Sequence, residues 1–142
     1  MNWEFIWKLL PSICKAFQWL TRRKPGNGTF LIVEDDQHDA DWIKRKLSKR
    51  GRICELATSG ETAQGLVQHT HYACIFVDLR LPGMPGQALL QVLSNDAPNA
   101  AVVVVCGEPA DLTDVPAGQP VIFIRKPVSL EGIDDVLKML RL

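Results

Sequence analysis

The sequence predicts an α/β protein built on a doubly wound, five-stranded parallel sheet. Five short apolar runs end in loops, and most are followed by stretches in which apolar residues recur every three or four positions. Alternation of this length is typical of right-handed strand–helix–strand units. The fourth run is almost wholly valine, as expected of a central strand covered by helices on both faces.

Length, charge and cysteine content limit the class of protein. With 142 residues, 46% of them hydrophobic, the chain is long enough for one domain with an ordinary core. Its formal net charge of zero gives no sign of a nucleic-acid-binding surface, so no nucleic-acid partner is expected. The four cysteines form no C-x-x-C pair, which favours a reducing, cytoplasmic location without disulfides.

Residues 1–24 are predicted to form an amphipathic helical arm, joined by a linker at residues 25–29 to a domain at residues 30–142. The arm has five basic residues and one acidic residue, and Pro11 is expected to kink or split it. Its apolar positions share one helical face: Trp3, Ile6, Trp7, Leu10, Ile13, Phe17 and Leu20. Docking on the domain or pairing as a homodimer is favoured over contact with the inner face of a membrane, which this composition would also suit.

The first three strands and two helices follow in order. After a strand at residues 30–33, apolar residues at helical spacing predict a helix that stops at Gly51. Residues 52–57 read as a second short strand, and residues 58–60 open a second helix. The third strand is predicted at residues 73–77.

The second half of the chain is less regular. A helix at residues 87–93 precedes the valine-rich strand at residues 101–105. Residues 107–120 contain three prolines and almost no apolar stripe, so the fourth helix should be one or two turns at most. A fifth strand at residues 121–124 leads into a last amphipathic helix at residues 129–142.

Residues suited to phosphoryl chemistry follow four of the five predicted strands. They are Glu34, Asp35 and Asp36 after the first strand, Asp78 after the third, Cys106 after the fourth and Lys126 after the fifth. In an open parallel sheet, ligands bind outside the carboxyl ends of the strands, where the strand order reverses. We therefore expect the acids and the lysine to meet in one crevice. Each has a simpler explanation when taken singly; Asp36, for instance, suits the N-cap of the first helix.

These motifs, in this order, resemble the receiver domain of bacterial two-component response regulators. Pro82 and Gly86 also fall where the active-site loop of that family has them. The resemblance implies a flavodoxin-like (βα)5 fold with strand order 2-1-3-4-5, here with a shortened fourth helix and an extra N-terminal helix.

The resemblance also implies a role for each residue at the strand ends. Asp78 stands where the family accepts a phosphoryl group. The implied ligands of a Mg²⁺ ion are Glu34, Asp35, Asp78 and the backbone carbonyl of Arg80, a set of hard oxygen donors that suits this cation. Lys126 would neutralise a phosphoryl oxygen as a point charge.

Two positions limit what the resemblance implies about switching. Relatives carry Thr or Ser at the position of Cys106, and a thiol is a weaker hydrogen-bond donor than a hydroxyl. Phe123 stands where relatives keep an aromatic residue that moves on activation, although core packing explains a phenylalanine in a strand equally well. The thiol leaves open either a weaker switch or a domain that no longer switches.

We expect a stand-alone receiver that takes a phosphoryl group from a histidine kinase or a histidine phosphotransfer protein and signals to an unknown downstream protein. It would not be an enzyme beyond its own phosphoryl transfer and dephosphorylation, and no output domain is expected after residue 142. The alternative is an interaction module of the same shape that works without phosphorylation, tethered or dimerised by residues 1–24.

Overall fold

The structure, a computed structural model, describes residues 28–107 and 119–142. Within these residues it has five strands and four helices. In chain order they are β1 (Thr29–Val33), α1 (Gln37–Ser48), β2 (Cys54–Ala57), α2 (Gly60–His69), β3 (Tyr72–Asp78), α3 (Gly86–Asp96), β4 (Ala101–Cys106), β5 (Val121–Arg125) and α4 (Leu130–Leu140). The predicted arm at residues 1–24, most of the predicted linker and the predicted shortened fourth helix fall outside the described residues.

All five strands are parallel, in the order β2-β1-β3-β4-β5, which confirms the predicted fold class and strand order. The order reverses between β1 and β3, and the register there pairs Val33 with Val77. Asp78 pairs with Val105 on the other side of β3. The carboxyl ends of the three central strands therefore meet at one edge of the sheet.

The core has two halves, one on each face of the sheet. Alternate residues of β1 and β3 point to opposite faces, so that Leu31 and Ile75 pack with α2 and α3 while Phe30 and Phe76 pack with α1 and α4. Every residue of β3 and β4 is buried, as the valine-rich run predicts. Burial of each large apolar side chain contributes roughly 2 kcal/mol to stability.

Helix starts are fixed by side-chain caps. Asp36 Oδ1 accepts a hydrogen bond from the Asp39 N–H at the start of α1, so Asp36 does act as an N-cap. Ser59 and Ser129 cap α2 and α4 in the same way. At the other end of α3, the helix continues to Asp96, three residues past the predicted end, because the first strong stop signal is Pro98.

Two polar contacts tie α1 to the last helix and to the loop before it. The Arg50 guanidinium, just past the end of α1, forms an ion pair with the Asp134 carboxylate of α4. Trp42 Nε1 donates to the Val128 carbonyl oxygen at 2.8 Å, and Lys46 Nζ lies 4.0 Å from the centre of the Trp42 ring. Trp42 is 40% exposed, although it is a large aromatic residue of an amphipathic helix, and its N–H faces this carbonyl.

None of Cys54, Cys74 and Cys106 forms a disulfide. Among the described residues, no helix has both the length and the apolar character needed to cross a membrane.

Replacement by alanine should change the free energy of unfolding in opposite directions at two helical glycines. A Cβ at Gly86 would lie 2.8 Å from both the Cα and the carbonyl oxygen of Leu79, whereas a Cβ at Gly65 would have no neighbour within 4 Å. We expect Gly86→Ala to lower the free energy of unfolding by roughly 1–3 kcal/mol through overpacking. Gly65→Ala should raise it by about 0.5–1 kcal/mol, because alanine loses less entropy in a helix. Urea unfolding of both variants checks this, and equal shifts in one direction would contradict the packing at Gly86.

Candidate active site

The ends of β1, β3 and β5 place the candidate residues at one edge of the sheet. Glu34 directly follows β1 and Asp78 ends β3; both are acids in a nearly solvent-free position, at 3% and 5% exposure. Lys126 directly follows β5, and its backbone N–H donates to the Cys106 carbonyl oxygen at 2.9 Å, which continues the pairing of β4 and β5. The peptide bond between Lys126 and Pro127 is cis.

The three acids at the ends of β1 and β3 lie close enough together to hold one cation. One carboxylate oxygen each from Glu34, Asp35 and Asp78 lies within 4.8 Å of the other two. Asp35 is exposed at the rim, while the other two are buried. Hard oxygen donors so arranged fit a divalent cation such as Mg²⁺, which binds through one or two carboxylates and keeps several waters.

Lys126 lies at the centre of a second set of contacts. Its Nζ donates to Asp78 Oδ2 at 2.8 Å, to Asp39 Oδ2 at 3.2 Å and to Glu34 Oε2 at 3.3 Å. The predicted proximity of Lys126 to the strand-end acids is therefore present in the structure. The lysine contributes one positive charge to a group of acids that would otherwise repel one another.

Asp39 also contacts Lys126, but the sequence did not identify it as a site residue. It lies in the first turn of α1, where an acid is favoured by the helix dipole whatever else surrounds it. Its spacing from the N-cap was the available signal. A residue three positions after the N-cap lies one turn into the helix, on the side of the preceding strand end.

Backbone hydrogen bonds orient both buried acids. The Arg80 N–H donates to Asp78 Oδ1 at 2.9 Å, and the Asp36 N–H donates to Glu34 Oε1 at 3.1 Å. In each acid, one carboxylate oxygen thus accepts from a backbone N–H and the other accepts from the Lys126 ammonium. The use of the Arg80 carbonyl as a cation ligand stays a prediction.

Burial and neighbouring charges shift the pKa values of the two buried carboxyls in opposite directions. Burial is the main cause that raises the pKa of Glu34 to about 7, and the neighbouring Asp78 adds to the rise. Burial also acts to raise the pKa of Asp78, but hydrogen bonds from Lys126 and the Arg80 N–H outweigh it and hold the pKa below its usual value. Burial acts to lower the pKa of Lys126, yet its bond to Asp78 prevails and raises it. Asp78 is therefore the ionised acid and Glu34 the one that takes up a proton.

Cys106 and Phe123 lie on the same face of the sheet. Cys106 is buried at the end of β4, in the apolar cluster shared with α2 and α3, and Phe123 of β5 packs against the same cluster. Their roles in switching stay predictions.

A cleft of about 660 Å³ opens on the other side of the pocket, between α1 and the loop before α4, and borders on Asp39, Trp42 and Lys126.

Comparison with known sequences identifies relatives. A family model described as the response regulator receiver domain matches residues 30–138. The chain is 29% identical over 111 residues to the photosynthetic apparatus regulatory protein RegA of Rhodobacter capsulatus, a match that covers 77% of this chain and 60% of that protein. It spans between 34% and 50% of the length of three other curated relatives that it matches.

Solved structures agree with the fold. A response regulator receiver domain from Methylobacillus flagellatus superposes with a TM-score of 0.71 at 27% identity, covering 80% of this chain and 98% of that one. A response regulator protein from Burkholderia pseudomallei, determined with a phosphorylated aspartic acid, a calcium ion and citrate, gives a TM-score of 0.65 at 25% identity, over 78% of this chain and 66% of that one.

The raised pKa of Glu34 predicts how stability depends on pH without metal. The folded protein binds the Glu34 proton more tightly than the unfolded chain does, so this contribution is complete below about pH 4.5 and is lost as pH rises to about 7. Relative to Glu34→Gln, which cannot ionise, the wild-type free energy of unfolding should fall by about 2–3 kcal/mol between pH 5 and 8.

Urea unfolding in chelator-containing buffer measures this difference. Glu131→Gln, which removes a charge from an exposed position at the start of α4, is the control. Parallel pH profiles for wild type and Glu34→Gln would contradict the assignment.

Proposed function

The chain belongs to the response regulator receiver domain family, and on this premise we propose that it accepts a phosphoryl group on Asp78. The observation that carries the proposal is the pairing of a buried acid with a lysine at 2.8 Å, beside two further acids that can share a cation. The family is one of signalling domains, and the proposed reaction is a change of the protein's own state.

The proposed step is attack by a carboxylate oxygen of Asp78 on the phosphorus of a phosphohistidine. The new oxygen–phosphorus bond forms as the phosphorus–nitrogen bond of the donor breaks, and the histidine nitrogen keeps the electron pair. The lowered pKa of Asp78 keeps the nucleophile ionised, and the backbone N–H of Arg80 holds the carboxylate in place for attack.

Charge neutralisation is the main requirement of this step, because an anionic phosphoryl group approaches a set of acids. Lys126 supplies one positive charge and would exchange its bond to Asp78 for one to a phosphoryl oxygen. Mg²⁺ held by Glu34, Asp35 and Asp78 would supply the rest of the charge. The Burkholderia relative, with a phosphorylated aspartic acid and a divalent ion, supports the same chemistry here.

The partners follow from the same proposal. The donor would be a histidine kinase or a histidine phosphotransfer protein, and the signal would pass to a downstream protein by direct contact. Several relatives are named transcriptional regulatory proteins, but the chain spans only part of their length, so their output is not carried over. Three described cysteines outside disulfides fit the proposed cytoplasmic location.

Cys106 supports a second candidate function, an interaction module that works without phosphorylation. Its thiol stands at the end of β4, where the resemblance to the family implies a hydroxyl, and it is buried in an apolar cluster. A thiol donates weakly to a phosphoryl oxygen, so the acyl phosphate could form without the usual movement.

Intact-mass analysis after incubation with acetyl phosphate tests the first candidate. We expect one added phosphoryl group per chain in the presence of Mg²⁺, and none in a chelator or in Asp78→Asn. The adduct rate of Asp41→Asn, a half-buried acid of α1, should stay within about twofold of wild type, because its Oδ1 accepts from Gln37 Nε2 and not from Lys126.

An adduct on Asp78→Asn would refute the assignment of the acceptor. If wild type gives no adduct, binding of beryllofluoride with Mg²⁺, followed by NMR, separates slow chemistry from an inactive pocket. Failure of both reactions would favour the phosphorylation-independent module.

We further propose that residues 1–24 supply a protein contact, either with the rest of the chain or with a second copy. The apolar stripe and the basic charge of this arm, beside an acidic remainder, support this role. Removal of residues 1–24 should lower the number of chains per particle in light scattering or lower the solubility. Loss of binding to anionic lipid vesicles, with the same number of chains per particle, would instead favour a membrane contact.

A further inference from the structure

Lys126 has three carboxylate partners, and the proposed function alone explains only two of them. An ammonium has three N–H donors, and here all three face carboxylates, at 2.8 Å to Asp78, 3.2 Å to Asp39 and 3.3 Å to Glu34. Asp78 and Glu34 account for a lysine at the acceptor. Asp39 reaches it from α1, outside the strand ends.

The three partners differ in what else they can bind. Glu34 and Asp78 belong to the group of acids whose oxygens lie within 4.8 Å of one another, together with Asp35. Asp39 does not belong to that group. A cation bound there and Lys126 would therefore draw on the same two carboxylates, and only Asp39 would stay available to the lysine.

We propose that Asp39 is a positioning residue that holds the Lys126 ammonium at the edge of the pocket when a divalent cation takes up Glu34 and Asp78. The lysine is then kept within reach of the acceptor without competing with the cation. The inference rests on the proposed function in taking Glu34, Asp35 and Asp78 as cation ligands.

The local structure suits Asp39 to this role. Its backbone is fixed by the N-cap, through the 3.0 Å bond from its N–H to Asp36 Oδ1. Its side chain is 49% exposed, against 2% for Glu34 and 6% for Asp78, so it stays solvated when the pocket is rearranged. A half-exposed carboxylate on a fixed backbone is suited to holding the ammonium of Lys126.

Asp41 provides a matched control on the same helix. It is also an aspartate of α1, but its Oδ1 accepts from Gln37 Nε2 at 2.9 Å. Asp41→Asn and Asp39→Asn therefore remove the same charge from the same element, and only the second removes a contact of Lys126.

The first experiment follows the lysine directly by ¹⁵N NMR of the full chain. A lysine ammonium gives a sharp signal when hydrogen bonds slow its exchange with water, and loss of the signal in Lys126→Met assigns it. Without metal, wild type, Asp39→Asn and Asp41→Asn should all show the signal, because Glu34 and Asp78 hold the lysine. In saturating MgCl₂, wild type and Asp41→Asn should keep it and Asp39→Asn should lose it.

The second experiment is a double-mutant cycle on Mg²⁺ affinity, measured by calorimetry. Asp39→Asn should weaken binding by roughly three- to tenfold in the wild-type background, because the lysine is then left on the ligands of the cation. In Lys126→Met the same substitution should weaken it by less than about twofold, since only the loss of a nearby charge remains.

The outcomes separate this inference from the proposed function. A Lys126 signal that persists in Mg²⁺-loaded Asp39→Asn, or equal losses of affinity in both backgrounds, would show that Asp39 is only a surface charge and would overturn the inference alone. A wild-type chain that binds no Mg²⁺ would overturn both.

Discussion

The Lys126 ammonium, bound to buried carboxylates, is the interaction on which the carboxyl edge of the sheet depends. Glu34 and Asp78 are almost without solvent, and two such charges side by side would repel each other and be costly to bury. One lysine cannot neutralise both together with Asp35 and Asp39, so the pocket keeps an excess of negative charge. That excess favours a divalent cation, which the proposed function requires before a phosphoryl group can approach.

Parallel pairing delivers these groups to one place. The register sets Val33 beside Val77 and Val105 beside Asp78, so the residues that leave the strands emerge within a few ångströms. The apolar side chains beneath them are packed on both faces and leave the strands little freedom to shift. A change of register by one residue would send every strand-end side chain to the opposite face.

Most of the fold and the strand-end acids were predictable from the sequence, because buried parallel strands read as continuous apolar runs and their polar exits stand out. Asp39 and Trp42 were not. Periodicity gives the angle of a side chain around a helix but not what the neighbouring loop offers it. The 3.2 Å approach of Lys126 to Asp39 and the Val128 carbonyl that meets Trp42 both come from the chain after β5, about ninety residues away in sequence.

The two ties between α1 and the end of the chain have a mechanical consequence. The Arg50–Asp134 ion pair connects the end of α1 to α4, and the Trp42–Val128 hydrogen bond connects α1 to the loop before α4. Lys126 lies two residues before Val128, and Asp39 lies three before Trp42. We therefore expect displacement of the lysine to shift the loop that carries Val128 and, through the Trp42 contact, the first helix as well. A protein that contacts this helix would then respond to the state of the pocket.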